Sequence, residues 1–96
     1  MNRETVIRRI KEHSADLALF KIKSLAIFGS VARGEARKDS DVDFLVEFQG
    51  PAKFDQYMGL KLFLEDLLGC RVDLVTRKAV RRELVSTIEQ EAQRVA

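Results

Sequence analysis

The sequence predicts an α/β domain in which a small β-sheet of about three strands is flanked by helices, in the order α-β-α-β-α-β-α. Three observations support this fold class. Apolar residues recur at helical spacing in several segments, short β-branched and aromatic runs lie between those segments, and glycines stand where elements should end. This alternation is typical of helices packed on a sheet.

Composition restricts the function further. The 96 residues suffice for one domain, expected over 1–96, with no chain left for a second. With 46% hydrophobic and 33% charged residues we expect a globular protein, and a net charge of +2 argues against nucleic acid as the direct substrate. The single Cys70 excludes an internal disulfide. Because no apolar run reaches about 18 residues, we expect a cytoplasmic protein without membrane contact.

The first half of the chain carries one helix and two strands. Apolar residues recur at near-helical spacing through 2–19, which predicts a helix with Asn2 as its N-cap. The apolar run 25–28 ends at a glycine and predicts a buried strand. The run 41–48 is dense in β-branched and aromatic residues and predicts a second strand.

The second half adds two helices and a strand. Helix 54–68 is predicted from one apolar face, with Gly69 placed to end it. That face comprises Phe54, Tyr57, Leu60, Leu64, Leu67 and Leu68. The run 71–75 predicts the third strand. Val80, Leu84, Ile88 and Ala92 recur every four residues and predict the last helix.

Asp41 and Asp43 are the first candidates for chemistry. They are two residues apart at the start of a predicted strand, so they project to the same sheet face. Two carboxylates about 6–7 Å apart repel each other, and a divalent cation between them turns that repulsion into binding. Mg²⁺ suits such a pair. Alternatively, one Asp caps a turn and the other is solvated.

Gly29 and Ser30 directly follow the first strand. Glycine permits a sharp turn and a close approach by a ligand, and Ser30 is expected to cap a following helical turn whose free N–H groups face an anion. A phosphate site beside a metal site is the layout of phosphoryl or nucleotidyl transfer. The alternative is that Gly-Ser is an ordinary turn pair.

Asp73 is the third candidate carboxylate. It lies centrally in 71–75 with Val72 and Leu74 expected on the opposite side. If the third strand lies beside the second, Asp73 joins the Asp pair in a cluster able to hold two divalent ions. Otherwise it is an edge-strand residue exposed to water.

The spacing of these residues resembles a known superfamily. Gly29-Ser30, ten residues, Asp41-x-Asp43 and a later hydrophobic-flanked Asp73 resemble the DNA polymerase β-type nucleotidyltransferases. The string GSVARGEARKDSDVDFLVEF is similar to the minimal nucleotidyltransferases, the antitoxin halves of HEPN/MNT toxin–antitoxin pairs. The resemblance implies a mixed sheet, two Mg²⁺ ions, ATP as substrate and transfer of AMP to a hydroxyl, usually a tyrosine of a HEPN toxin.

The resemblance also implies residue roles. Asp41, Asp43 and Asp73 would hold the metals, with Asp73 on the acceptor side, and Gly29 and Ser30 would hold the β- and γ-phosphates. Two further nucleotide-binding candidates are Arg33, which either reaches phosphate or adenine or pins the loop to Glu35 or Asp39, and Ser40, which alternatively only orients the turn into the strand.

Two alternative functions stay open. The fold could neutralise a toxin by binding alone, because basic clusters around Arg8 and around Arg77 invite an acidic toxin surface or RNA. It could also act on a small molecule with a partner chain that supplies the acceptor site. The sequence leaves the oligomeric state open.

Overall fold

The computed structural model describes residues 2–35 and 41–96. The helices are α1 (Arg3–Glu12), α2 (Ser14–Ala18), α3 (Gly29–Ala32), α4 (Phe54–Leu68) and α5 (Arg82–Glu91), and the strands are β1 (Ile22–Phe28), β2 (Val42–Phe48), β3 (Val72–Thr76) and β4 (Gln93–Arg94). A 3-10 turn at Arg77–Ala79 links β3 to α5. The predicted fold class is confirmed. Within the described residues, no helix has the length and apolar character needed to cross a membrane.

The sheet is mixed and has the strand order β3-β2-β1-β4. β1 pairs antiparallel with both β2 and β4, whereas β2 and β3 pair in parallel. In the parallel pair Asp43 lies opposite Asp73, and in the antiparallel pair it lies opposite Phe28. The end of β1 therefore meets the beginnings of β2 and β3.

Alternation along the strands separates a core face from a polar face. In β2, Val42, Phe44 and Val46 are buried while Asp43 and Glu47 are only half-buried. The core also takes side chains from α1, α2, α4 and the neighbouring strands; they include Val6, Ile10, Leu17, Leu25, Ile27, Leu60, Leu64, Leu68, Val72 and Leu74. On the polar face α5 lies over the sheet, because its Val85 and Ile88 surround a small space with Leu45.

The outer edge of β3 is covered by side chains of α4. Glu65 accepts a hydrogen bond from Val72 N at 3.1 Å, and the Tyr57 hydroxyl donates to the carbonyl of Leu74. The backbone bond to Val72 is the main reason why the pKa of Glu65 is lowered. An exposed edge strand invites pairing with another chain, and these contacts occupy groups that such pairing would use.

The first predicted helix is divided into two in the structure. The first helix ends at His13, whose Nδ1 lies 2.9 Å from the Arg9 carbonyl, and α2 follows as a separate turn. The Asn2 cap is confirmed, since its side chain accepts from Thr5 N at 2.8 Å. Gly69 ends α4 in the left-handed conformation as predicted, with φ of 67°. The two-residue β4 was not predicted, because so short a strand has no period to detect.

Two apolar residues assigned to helix faces are exposed. Phe54 is 75% exposed because it is the first residue of α4, before the turns that pack on the sheet. Leu84 is 50% exposed because Val85 and Ile88 face the sheet instead. A four-residue spacing drifts by about 40° per step around a helix of 3.6 residues per turn, so the predicted stripe does not lie on one face.

Two leucines of α4 test where the stability resides. Leu64 is fully buried and Leu62 is 57% exposed. The same substitution therefore leaves a cavity in the packed core at position 64 and removes a side chain that is mostly in solvent at position 62. We expect Leu64→Ala to lower the free energy of unfolding by about 2–5 kcal/mol and Leu62→Ala by less than about 1 kcal/mol. Urea unfolding followed by circular dichroism measures both. Equal losses would contradict the assignment of the core face.

Candidate active site

Asp43 lies at the centre of the candidate site. It is the second residue of β2, half-buried, and it stands between Phe28 of β1 and Asp73 of β3 in register. Asp41 precedes the strand by one residue and is exposed. The start of β2 is anchored to the start of β3 by Val42 N, which donates to the Arg71 carbonyl at 3.0 Å. The sheet itself therefore positions the carboxylates.

The turn after β1 brings the backbone of Gly29 against the Asp43 carboxylate. Gly29 has φ of +71°, a conformation that L side chains rarely adopt. A Cβ atom at this position would overlap Asp43 Oδ2 and would lie 3.0 Å from Asp43 Cγ. Glycine is thus needed for the turn and for the close approach.

Ser30 does not cap a helix as expected. The short α3 begins at Gly29, its N-cap residue is Phe28, and no side chain caps it. Ser30 is therefore the second residue of the helix, and its carbonyl accepts from Glu35 N at 2.8 Å. The prediction placed the helix start two residues too late, since the N-cap is Phe28 and not Ser30. The first N–H groups of a helix have no acceptor within it, so the backbone here still offers donors next to Asp43.

Asp73 satisfies parts of both sequence hypotheses. Its strand lies beside β2, as the cluster hypothesis required, and it is the direct neighbour of Asp43. It is also exposed, and β3 is an edge strand, as the alternative stated. An Asp on an inner strand is costly to bury, and the edge position avoids that cost.

The surroundings of Asp43 destabilise the charged form of its carboxyl group. Burial is the main cause that raises its pKa, and the charges of Asp73 and then Asp41 add to the effect. The charge of Arg33 acts in the opposite direction without reversing it. The neighbouring carboxylates therefore repel each other, which favours the binding of a cation between them.

The donor set fits a hard divalent cation. Carboxylate oxygens are ligands that Mg²⁺ prefers, and it usually takes one or two of them together with waters and substrate phosphates. Within residues 2–35 and 41–96, no group of three or more His, Cys, Asp and Glu side chains is arranged to hold a metal ion. A site completed by phosphate oxygens, rather than a closed protein cage, agrees with both observations.

Arg33 links the turn to the end of the chain. Its Nε donates to Glu35 at 3.0 Å and its NH1 donates to Glu91 of α5 at 3.1 Å, and the hydrogen bond to Glu35 is the main cause that raises its pKa. The pairing with Glu35 was one of the two anticipated arrangements; Asp39 and Ser40 lie outside the described residues. Sequence reasoning missed Glu91, which is 58 residues away and carries no local signal.

Neighbouring carboxylates beside a glycine turn at the start of a helix are the arrangement that serves phosphoryl and nucleotidyl transfer, which points to that class of enzymes. Comparison with known proteins narrows the class. A model of the nucleotidyltransferase domain matches residues 7–95, and the chain belongs to that family. The resemblance noted in the sequence is thereby confirmed, and the protein is an enzyme of nucleotidyl transfer.

Relatives agree along most of the chain. The protein adenylyltransferase MntA of Thermococcus cleftensis is 40% identical over 72 residues, which cover 75% of this chain and 73% of the relative. A Methanocaldococcus jannaschii protein, provisionally named a protein adenylyltransferase, is 43% identical over 75 residues, 75% of either chain. The solved structure of a provisionally named minimal nucleotidyltransferase has a TM-score of 0.85 at 40% identity, covering 97% of this chain and 95% of that one.

A more distant structure shares the fold. The chain aligns over its whole length with 73% of a chain from a toxin–antitoxin complex with AMP-PNP, at a TM-score of 0.72 and 20% identity. A Shewanella oneidensis complex of a tri-AMPylated HEPN toxin with its MNT antitoxin aligns at a TM-score of 0.69 and 18% identity, covering 98% of this chain and 71% of that one. At this identity the likeness concerns the fold.

Gly29 and Gly34 form a matched pair for testing the close approach. Both have positive φ, but an added Cβ at Gly34 meets open space. We expect each Ala substitution to cost about 1–2 kcal/mol from backbone strain, and Gly29→Ala to cost more because it displaces Asp43. Thermal unfolding and nucleotide binding measure the difference. If the two variants were equally stable and equally competent to bind nucleotide, the contact would have no role.

The raised pKa of Asp43 predicts a pH-dependent cost to stability. The folded state binds more protons than the unfolded state between the two pKa values, so stability falls as pH rises through that interval. We expect Asp43→Asn to be more stable than the wild type at pH 7, with the difference vanishing below about pH 4. Chemical denaturation over this pH range, with the exposed Asp66→Asn as control, measures it. A less stable Asp43→Asn at pH 7 would contradict the prediction.

Proposed function

We propose that this protein transfers AMP from ATP to a hydroxyl group of a partner protein, with Mg²⁺ as cofactor. The observation that carries the proposal is the alignment of Asp43 with Asp73 directly beside the Gly29 turn. This arrangement brings cation ligands and phosphate donors to one point of the sheet. The names of the relatives, which are protein adenylyltransferases, support adenylyl as the transferred group.

In this proposal Asp41 and Asp43 hold the metal ions that bind the triphosphate. When bound, Mg²⁺ neutralises charge on the phosphates and on the departing pyrophosphate. Binding a cation also offsets the burial and the carboxylate repulsion that raise the pKa of Asp43. Within residues 2–35 and 41–96, no ion pair involves Asp41 or Asp43. Neighbouring carboxylates of this kind are costly in a purely structural role, which favours a functional one.

Asp73 would serve the acceptor side of the reaction. It is exposed and lies next to Asp43, so a hydroxyl of a second molecule can reach it. The hydroxyl oxygen forms a bond to the α-phosphorus, the bond between that phosphorus and the bridging oxygen breaks, and pyrophosphate leaves. Asp73 takes the hydroxyl proton or orients it toward water.

The phosphates would lie against the turn that follows β1. Gly29 lets the backbone approach the phosphates closely, and Ser30, the second residue of α3, contributes its amide and hydroxyl as donors. We include Ser40 as a nucleotide-binding residue on the basis of the sequence. Arg33 follows α3 and acts on the charge of Asp43, so it is near enough to meet a phosphate if it exchanges Glu91 for that ligand. In that arrangement the Arg33 guanidinium neutralises charge on the ATP phosphates instead of the Glu91 carboxylate.

We propose a HEPN-family toxin as the partner and one of its tyrosines as the acceptor, which makes this protein an antitoxin of the type VII kind. Structures of similar fold are described as complexes of MntA with its toxin, one of them with the toxin AMPylated. The polar face of the sheet around Asp73 is open enough for a protein acceptor, which agrees with this role.

AMP transfer provides the direct test. We expect radiolabelled ATP with Mg²⁺ to label a co-purified HEPN protein, and the Asp41→Asn, Asp43→Asn double variant to lower the rate at least about a hundredfold, because it removes metal ligands. The matched control replaces Asp55 and Asp66, exposed residues of α4, which packs on the core face of the sheet. A folded wild type that labels no HEPN protein under these conditions contradicts the proposal.

Neutralisation by binding alone is the second candidate function. It is favoured by Lys78, Arg81 and Arg82, exposed cations that take part in no ion pair within the described residues. Growth of cells that express the toxin separates the two functions. The Asp41→Asn, Asp43→Asn variant loses protection if AMP transfer neutralises the toxin, and full protection by that variant would instead establish occlusion.

A further inference from the structure

A groove lies where β2 and β3 end, at the opposite end of these strands from Asp43 and Asp73. It has a volume of about 550 Å³ and lies between the loop that follows β2 and the turn that follows β3. Its lining includes Phe48, Pro51 and Ala52 on one side and Thr76, Arg77 and Lys78 on the other. Hydrophobic lining with a few polar groups is typical of binding sites of this size.

The groove carries both ion-paired charges and a surplus of positive charge. Within the groove, Glu47 is already neutralised, since it lies 3.4 Å from Arg77 and 3.6 Å from Lys23. Arg77 is in turn held by Glu47 and Glu89. Among residues 2–35 and 41–96, no ion pair involves Lys78, an exposed residue of the lining, or Lys53, which is exposed and follows the lining residue Ala52 in the chain. The groove therefore presents apolar surface under a net positive rim.

From these observations we infer that the groove docks an acidic segment of the partner protein, with one apolar side chain inserted among Phe48, Pro51 and Ala52. Acidic side chains on either side of that anchor would face Lys53 and Lys78. Opposite charges across an interface steer association and set orientation, while a buried apolar anchor supplies affinity. The inference rests on the proposed function for the existence of a protein partner.

A peptide segment fits this surface better than nucleic acid does. Nucleic-acid binding requires many free cations along the phosphate backbone, and here Arg77 is occupied by two carboxylates. The apolar part of the lining offers a phosphate backbone neither charge nor hydrogen bonds, whereas a leucine or phenylalanine side chain can pack against it. The net charge of only +2 agrees with local rather than general attraction.

The groove is separate from the carboxylates. Glu47 is four positions after Asp43 in β2, which at about 3.3 Å per residue places the groove about 13 Å along the strand. Docking and AMP transfer are thus expected to respond to different substitutions.

A synthetic peptide tests docking without nucleotide. The probe contains Asp and Glu around one central Phe, and its binding to the ¹⁵N-labelled full chain is followed by NMR. We expect amide shifts to concentrate at 46–52 and 76–78. We expect Lys78→Glu and Ala52→Glu to weaken binding about three- to tenfold, because each adds a negative charge at the groove. Lys11→Glu, an equal charge reversal on the exposed side of α1, should leave affinity unchanged.

Three outcomes would overturn the inference. Shifts elsewhere, or equal losses in Lys78→Glu and Lys11→Glu, would mean that only general charge attracts the peptide. Equal binding of a peptide with Ser in place of Phe would eliminate the apolar anchor. Tighter binding of an oligouridine of the same charge at this groove would identify an RNA surface. Because no nucleotide is present, failure here is distinguishable from failure of AMP transfer.

Discussion

The parallel pairing of β2 with β3 forces Asp43 and Asp73 onto neighbouring positions of one sheet face. The packing of the opposite face sets this register, because Val42, Phe44 and Val72 are buried there. A slip by one residue would turn the whole apolar set outward, at a cost far above the repulsion between two partly solvated carboxylates. The hydrophobic core therefore holds like charges together, and the site inherits its geometry from the core.

The mixed sheet adds the second component of the site. Because β1 runs antiparallel to β2, the end of β1 arrives where β2 and β3 begin, and the Gly29 turn comes to lie on the Asp43 carboxylate. A sheet with all its strands parallel would separate that turn from the carboxylates by the length of a strand. Cation ligands and backbone donors are thus neighbours through topology, although they are distant from each other along the chain.

The polar face is also held together by ion pairs that cross the fold. Arg33 joins α3 to α5 through Glu91, and Arg77 joins β2 to α5 through Glu47 and Glu89. Exposed pairs of this kind contribute little stability each, and α5 has no fully buried residue.

Much of this protein was determined by its sequence alone, since local chemistry dictates it. The periods of apolar residues predicted α4, α5 and the strands β1 to β3, Gly69 predicted a helix end, and the motif from Gly29 to Asp43 carried the resemblance to nucleotidyltransferases. Only the tertiary structure decided that Asp73 is on an edge strand and that Glu91 holds Arg33. Those contacts join residues far apart along the chain, and no local period or propensity encodes which distant groups the packed sheet brings within a few ångströms of each other.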